Sequence, residues 1–322
     1  MPKRMNWKRG MRLTDEVLRT ADDCTAQAVG QAVALAASGR FGLLPALRPF
    51  QLSLNVAADA VEVASLCLLA VTRAGDVIDL RMAGGLTDMP DSRVALPNDA
   101  NEVFLVVNVL PQEWVETGDG LLVPRYSFSV VTPQSALSEH AVPIAHLVRE
   151  NGWMEDSARF VPPCLCLSAH HGYEELRVQL VDVLKAIHEK TKPQAQSLVK
   201  TAIGIYWPIV QQALIEANTA YETMSPGELM ACIQKVVGGF AMACEVDEVL
   251  HLEDAATFYN YAMTPYNYQK VYLRIRQGIG MCHAISEKID KFALLGAAPP
   301  PPPAPQPEPK PDPRRSWLGK QI

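Results

Sequence analysis

Apolar and polar positions follow two different periods along the chain, and the change of period divides it into zones. Between Thr14 and Ala37 apolar residues recur every three or four positions, which predicts a helix. Thr14 stands at the capping position, and Asp15 and Glu16 follow where the helix dipole favours acids. Ser38-Gly39 is the expected end, because glycine readily adopts the left-handed conformation. The apolar stripe of this helix consists of Leu18, Ala21, Ala28, Ala32 and Leu35.

From about Phe50 the period becomes two, which is typical of half-buried strands. The short runs are separated by turns, with no helical pattern between them, and they end near His171. This arrangement predicts an antiparallel β-sandwich or barrel. The expected strands are Phe50 to Val56, Val61 to Val63, Leu66 to Thr72, Val77 to Arg81, Glu102 to Leu110, Leu121 to Val131 and Phe160 to Leu167.

Helical spacing returns after His171 and predicts four helices. The first carries Leu176 to Ile187, and the second spans about Gln194 to Asn218 with a break near Pro208, because proline lacks an amide donor. The third begins at Ser225-Pro226-Gly227-Glu228, which has the complete pattern of a capping box. The last is expected to begin near Pro265.

The last helix carries an apolar stripe with mixed three- and four-residue steps. The core of a four-helix bundle and a coiled coil between subunits both produce such a stripe. The candidate interface residues on it are Tyr268, Tyr272, Ile275 and Ile279.

A proline-rich tail follows the helices, between Pro299 and Pro313, and predicts polyproline II or disorder. Arg314, Arg315, Trp317 and Leu318 form a cationic and aromatic tip beyond it. The predicted fold class is therefore α+β. An antiparallel β-sandwich preceded by a helix occupies residues 1–172, a four-helix bundle 173–296, and a disordered tail 297–322.

Composition and charge narrow the class of protein. The chain has 322 residues, a net charge of -6 and a pI near 5.7, which argues against nucleic acid as the main partner. The opening residues lack a signal-peptide pattern, and no apolar run approaches the ~20 residues that are needed to cross a bilayer. Seven scattered cysteines indicate reduced thiols. We expect a cytoplasmic protein without membrane insertion.

Candidate chemistry is sparse. Cys164-Leu165-Cys166 followed by His170-His171 is the best metal candidate, but its spacing is not that of a zinc knuckle. Buried small side chains explain it equally well, so metal binding by Cys164, Cys166 and His170 stays open. The sequence contains neither a P-loop nor a nucleophile elbow, and Gly278-Ile279-Gly280 is not a nucleotide loop. We therefore expect no enzyme and no cofactor.

Four stretches of the chain together carry a resemblance to a known family. They are Asn6 to Leu13, Phe41 to Pro45, Trp207-Pro208 with Met224 to Leu229 and Val237 to Gly239, and Thr264 to Tyr268. In this order they resemble TssK, the baseplate protein of type VI secretion systems. Ser225 and Tyr268 depart from this pattern, since histidine is common at both places in the family. The proline-rich tail also stands where the family usually continues into a head domain.

The resemblance implies a homotrimer with a β-rich shoulder and a helical neck. It also implies contacts with the wedge proteins TssF and TssG and a connection to the membrane complex. We expect Trp7, Gly10, Met11 and Leu13 to anchor the N-terminal segment against a neighbouring subunit or the wedge. Arg314, Arg315, Trp317 and Leu318 are expected to tether a partner in place of the head domain.

Two other readings remain open from the sequence. A cytosolic adaptor could use the proline-rich tail to recruit an SH3-like or other groove-bearing domain. A small-molecule enzyme with a β-barrel pocket is the third reading, and the motif search argues against it.

Overall fold

The computed structural model describes residues 12, 14–37, 39–45, 49–82, 92–116, 122–150, 152–155, 160–195, 202–219, 222–246 and 255–295. The first helix, α1, spans Asp15–Ala36. The Thr14 hydroxyl oxygen accepts a hydrogen bond from the Val17 amide at 3.3 Å, as its capping position predicts. Gly39 follows with φ +75°, so the predicted end of the helix is confirmed.

The first antiparallel sheet is organised around one long strand. The strand β3 (Ala60–Val71) pairs with each of the other four. These are β1 (Gly42–Leu43), β2 (Gln51–Val56), β4 (Val77–Met82) and β5 (Arg93–Ala95). Side chains of β2 alternate between exposed and half-buried, as its period of two predicts.

The second antiparallel sheet has the strand order β7-β6-β8-β9. Its strands are β6 (Glu102–Glu116), β7 (Leu122–Val131), β8 (Ala141–Arg149) and β9 (Trp153–Glu155). Both sheets contribute to one hydrophobic core that continues into the helices. The expected α+β fold, with a β-sandwich before a helical bundle, is confirmed.

Several strand expectations need correction. The runs Val61 to Val63 and Leu66 to Thr72 are one strand, Ala60–Val71, while β1, β5, β8 and β9 were not predicted. Almost all of β8 is buried, so it lacks the alternation that reveals a half-buried strand.

The segment Phe160 to Leu167 is not a strand. Only Cys164 forms an isolated bridge, to Leu43. The segment instead connects the sandwich to the bundle, because the Leu43 amide donates to the Pro163 carbonyl at 2.7 Å. The Leu167 amide likewise donates to the Met224 carbonyl at 2.9 Å. A short 3-10 turn, Leu167–Ala169, follows.

Four helices close a ring in which each packs against two others. They are α2 (His171–Ala195), α3 (Ala202–Thr219), α4 (Pro226–Val246) and α6 (Val271–Leu295). A short helix that the sequence did not predict, α5 (Ala255–Ala262), packs on α4. Within the described part of the chain, one stretch, Pro226–Glu245, is long and apolar enough to cross a bilayer. It is 61% buried inside the bundle, and core helices of soluble proteins meet the same criterion.

Helix α6 begins later than expected, at Val271 rather than near Pro265. The Asn267 side-chain oxygen accepts a hydrogen bond from the Gln269 amide at 2.9 Å. Such an Asx turn competes with helical hydrogen bonding. Tyr268 therefore lies in the turn before the helix and not on its stripe.

Candidate functional site

The turn between β3 and β4 is where the sandwich meets the bundle. The guanidinium carbon of Arg73 lies 4.4 Å from the ring centre of Phe41 and 5.2 Å from that of Tyr268. The two rings pack edge to face with centroids 5.3 Å apart. Arginine over aromatic rings is a favourable cation–π arrangement. It joins the segment before β1, the first sheet and the loop before α6.

The same turn carries a polar network that reaches the second sheet. The Thr72 hydroxyl donates to the Asp76 carboxylate at 2.7 Å, and Nδ1 of His140 lies 2.7 Å from the same oxygen. The Asp76 amide donates to the Thr72 hydroxyl oxygen at 3.0 Å, which closes the turn. Thr72 is fully buried, so this network replaces its lost hydration. It fixes the loop between β7 and β8 against the first sheet.

Helix α1 meets the sandwich at this turn. Gly75 has φ +92°, and a Cβ atom built on it would overlap the carbonyl group of Gly30. Two glycines therefore allow the backbones of turn and helix to touch. No other described helix or strand packs along the length of α1.

A capping box joins the bundle to the segment before β1. The Ser225 amide and hydroxyl both donate to the Glu228 carboxylate, at 2.7 and 2.8 Å, and the Glu228 amide donates to the Ser225 hydroxyl oxygen at 3.2 Å. The predicted box is confirmed. Burial by itself would raise the pKa of Glu228, but the hydrogen bonds from Ser225 and the charge of Arg40, 3.3 Å away, lower the pKa overall.

The residues of the metal candidate lie between the sandwich and α2. The Cys164 thiol donates to the Pro162 carbonyl at 3.2 Å, and burial raises the pKa of this thiol. The Cys166 thiol lies 3.2 Å from the Ser168 hydroxyl. Among the described residues, no group of three or more His, Cys, Asp or Glu side chains is arranged to hold a metal ion.

His170 is held as a neutral acceptor in this region. Its Nδ1 accepts a hydrogen bond from the Gly172 amide at 3.1 Å, and its ring stacks on His171 with centroids 4.5 Å apart. Burial, and then repulsion from His171, lowers the pKa of His170 to about 4. A metal at Nδ1 would have to displace this amide, so this nitrogen serves the start of α2.

The candidate interface residues on the last helix lie mostly inside the chain. Ile275 and Ile279 are 0% and 4% exposed in the bundle core, which leaves no surface for a partner. Tyr272 packs edge to face on Tyr173, with centroids 5.7 Å apart, and Tyr268 packs on Phe41. The two isoleucines therefore lie in the core of the bundle itself, and the interface role expected for the stripe with Tyr268 and Tyr272 stays a prediction. Trp7, Gly10, Met11, Leu13, Arg314, Arg315, Trp317 and Leu318 lie outside the described residues.

The exposed apolar surface is found on α1 instead. Leu18, Val29 and Leu35 are 47%, 55% and 79% exposed. The periodicity of the sequence revealed the stripe, but it did not reveal which side of the helix the sandwich would cover.

A second exposed surface was not predicted. Strands β6 and β7 pair as far as Glu116 and Leu122, whereas β8 pairs with β6 only as far as Asn108. The far part is thus a two-stranded arm, and Trp114 on it is 43% exposed. An isolated two-stranded hairpin is marginally stable in water.

Comparison with known proteins finds similarity in structure only. No protein-family profile and no curated protein sequence matches the chain. A crystal structure of TssK matches with a TM-score of 0.59 and 12% identity, over 89% of this chain and 72% of that one. TssK in a cryo-electron microscopy structure of the TssK-TssF-TssG baseplate subcomplex of the type VI secretion system matches with a TM-score of 0.56 and 16% identity. That match covers 89% of this chain and all of the other.

A third structure is TssK from the EAEC type VI secretion system in complex with a nanobody. It matches with a TM-score of 0.51 and 13% identity, over 83% of this chain and 99% of that one. At these identities the comparison shows that the chain has the fold of TssK. Both the sandwich and the helical bundle fall within such coverage.

Proposed function

We propose that the protein is a non-enzymatic structural component of the baseplate of a type VI secretion system, a contractile injection system. The observation that carries the proposal is the TssK fold over 89% of the chain. The described polar clusters agree with a structural role. The Thr72–Asp76–His140 network joins two segments of the fold. The Ser225–Glu228 box contacts the segment before β1 through Arg40.

The proposed assembly is a homotrimer that binds wedge proteins of the TssF and TssG kind. TssK in one matching structure belongs to a subcomplex with TssF and TssG, which supports this choice. The N-terminal segment, with Trp7, Gly10, Met11 and Leu13, anchors against the wedge or a neighbouring subunit. Buried tryptophans at interfaces often cost about 2 kcal/mol or more when truncated.

The proposed organisation follows the division made from the sequence. Residues 1–172 form the shoulder, 173–296 the neck, and 297–322 a tail that tethers a partner in the membrane complex. The protein acts in the cytoplasm. The proposed contact of the tail with its partner is made by Arg314, Arg315, Trp317 and Leu318.

Affinity capture with candidate TssF and TssG proteins of the same organism tests the assembly. The variant Trp7→Ala is expected to reduce capture while the circular dichroism melt stays unchanged. Trp317→Ala is the matched control, because it removes the same side chain from the tail and should leave wedge binding intact. Absence of TssF and TssG binding by the wild-type protein would contradict the proposal.

Deletion of residues 297–322 tests the tether. The truncated protein should keep its trimer and its wedge binding, while secretion by the host fails. Full secretion activity without the tail would contradict the tether but not the baseplate role.

A cytosolic adaptor is the alternative function, and the proline-rich tail favours it. The two proposed functions predict different results for partner capture by the truncated protein. An adaptor would lose all partner capture on deletion of 297–322, whereas a baseplate protein keeps the wedge.

A further inference from the structure

Helix α1 has a heptad pattern on the side that its own chain leaves open. With Leu18 at position a, the a and d positions are Leu18, Ala21, Thr25, Ala28, Ala32 and Leu35. The steps alternate strictly between three and four residues, as in coiled coils. All of these residues are exposed except Ala21, which is half-buried. We call this set the α1 seam.

The opposite side of the helix faces the sandwich. Position f lies opposite a and d on a helical wheel, and toward the C-terminal end it is occupied by Gly30 and, just after the helix, by Ala37. Gly30 touches the turn at Gly75, and Ala37 is buried. The sandwich therefore contacts α1 on this side near its C-terminal end, and the seam lies on the opposite side.

Large apolar side chains on this outward side would be stabilised by burial against a partner. Leu18 and Leu35 stand at the two ends of the seam and Val29 at its edge, and all three are exposed in the single chain. A helix of 22 residues is about 33 Å long, and it is not stabilised along that length by any other described element. Most helical stability in proteins comes from packing of such a face.

Charge limits what can cover the seam. Its flanking g positions are Val17, Cys24 and Gln31, and its e positions are Asp22, Val29 and Ala36. In a parallel pairing each g residue faces the e residue five positions later in the neighbour. The three pairs are Val17 with Asp22, Cys24 with Val29, and Gln31 with Ala36, so no like charges meet. An identical helix matches this nearly uncharged surface, whereas a charged partner would find no counter-charges.

We propose that α1 of a second copy of this chain covers the seam, in parallel orientation. In a trimer, equivalent helices that run along the threefold axis point the same way, so three α1 helices aligned with that axis meet in parallel orientation. The inference rests on the proposed homotrimer and deepens it. It assigns the homotypic contact to α1, whereas the sequence had suggested α6. Alanine at three of six seam positions lets the helices approach closely.

Cysteine cross-linking of the full chain tests the register. The background is Cys24→Ser, because Cys24 flanks the seam. Ala28→Cys places a thiol at a d position, where it meets its own equivalent in a parallel assembly. Thr20→Cys is the control, since Thr20 is exposed at position c, away from the seam. Mild oxidation should convert the Ala28→Cys protein mainly into covalent dimers and leave the Thr20→Cys protein at background. Equal cross-linking of both, or none at position 28, would overturn the inference.

Charged substitutions test the contact itself. The double variant Ala28→Glu with Ala32→Glu should lose the assembly, with a mass by light scattering that falls to that of one chain, 35.3 kDa. Thr20→Glu should keep the wild-type mass. Both side chains of the double variant are exposed in the single chain, so the monomer should still fold, which circular dichroism checks. An unchanged mass in the double variant, or a wild-type protein that is itself monomeric, would overturn the α1 contact.

Capture of TssF and TssG by the same wild-type and variant proteins separates the two proposals. Wild-type protein that binds the wedge, together with a seam that neither cross-links nor responds to charge, leaves the baseplate role standing and removes the α1 contact. Wild-type protein that assembles through the seam but binds no wedge protein removes the baseplate role and leaves the α1 contact standing.

Discussion

Gly75 and Gly30 place their backbones in direct contact, and this contact docks α1 on the sandwich. A methyl group on Gly75 would overlap the Gly30 carbonyl, and φ at Gly75 is +92°. The reverse substitution is milder, because a Cβ on Gly30 would lie 3.7 Å from the Gly75 carbonyl oxygen. The turn thus has two separate reasons to require glycine at position 75.

Gly75→Ala should destabilise the protein by about 2–4 kcal/mol, because left-handed backbone and steric overlap add up. Gly39→Ala is the control. Gly39 also has positive φ, at +75°, but nothing lies within 4 Å of its Cβ position, so only the backbone cost of about 1–2 kcal/mol applies. Urea unfolding measures the loss of stability in each of the two variants. Hydrogen exchange of the α1 amides should accelerate only in Gly75→Ala. Equal losses in the two variants would mean that the Gly30 contact contributes nothing.

Gly278 and Gly280 lie two residues apart in α6 and should respond in opposite directions. A Cβ on Gly278 would overlap the Tyr261 hydroxyl, which donates to the Arg274 carbonyl at 2.9 Å. Gly278→Ala should therefore cost about 1–3 kcal/mol of stability. Gly280→Ala meets nothing within 4 Å and should add roughly 0.5–1 kcal/mol, because alanine is the better helix former. Thermal melts of both variants check the sign, and a stabilised Gly278→Ala would contradict the packing described.

Ser225→Ala should cost about 1 kcal/mol, because the Glu228 amide loses its acceptor at the start of α4. Partner binding should not change. Thr14→Ala offers a comparison, since it removes the cap of α1, a helix that is not part of the bundle. Unfolding free energies and TssF–TssG capture of Ser225→Ala decide the point. Loss of binding at full stability would make this corner a binding site.

His170 should make stability depend on pH in the acid range. Its pKa is about 4 in the folded protein against an ordinary value of 6.5, so the unfolded chain binds the extra proton between these values. Stability is then complete above pH 6.5 and is lost progressively as the pH falls to about 4, by an amount of the order of 2–3 kcal/mol.

His170→Asn keeps a hydrogen-bond acceptor for the Gly172 amide but cannot take up a proton, so its stability should vary less between pH 6.5 and 4. His171→Gln removes the neighbouring charge and should give an intermediate slope. Unfolding free energies at several pH values measure all three proteins. Identical pH profiles for wild type and His170→Asn would exclude this histidine as the source.

Local features of the fold followed from the sequence because they depend on neighbours in the chain. Thr14 caps α1, Gly39 ends it, and Ser225 and Glu228 build the box that starts α4. Each of these arrangements involves residues within four positions of one another. The alternation of β2 and the apolar spacing of α2 are likewise readable, because one side of each element is buried and the other is not.

Features that depend on distant contacts were decided only by the tertiary structure. Strand β8 is buried on both faces along most of its length and shows no alternation there. The segment Phe160 to Leu167 forms hydrogen bonds with Leu43 of β1 and with Met224 of the bundle, instead of pairing along its length with a neighbouring strand. The same physics governs the two apolar stripes. An apolar stripe in the sequence predicts that one face of a helix is buried, but it does not identify the surface that buries it. The ring of four helices turns Ile275 and Ile279 inward, and the Gly30–Gly75 contact turns Leu18 and Leu35 of α1 outward.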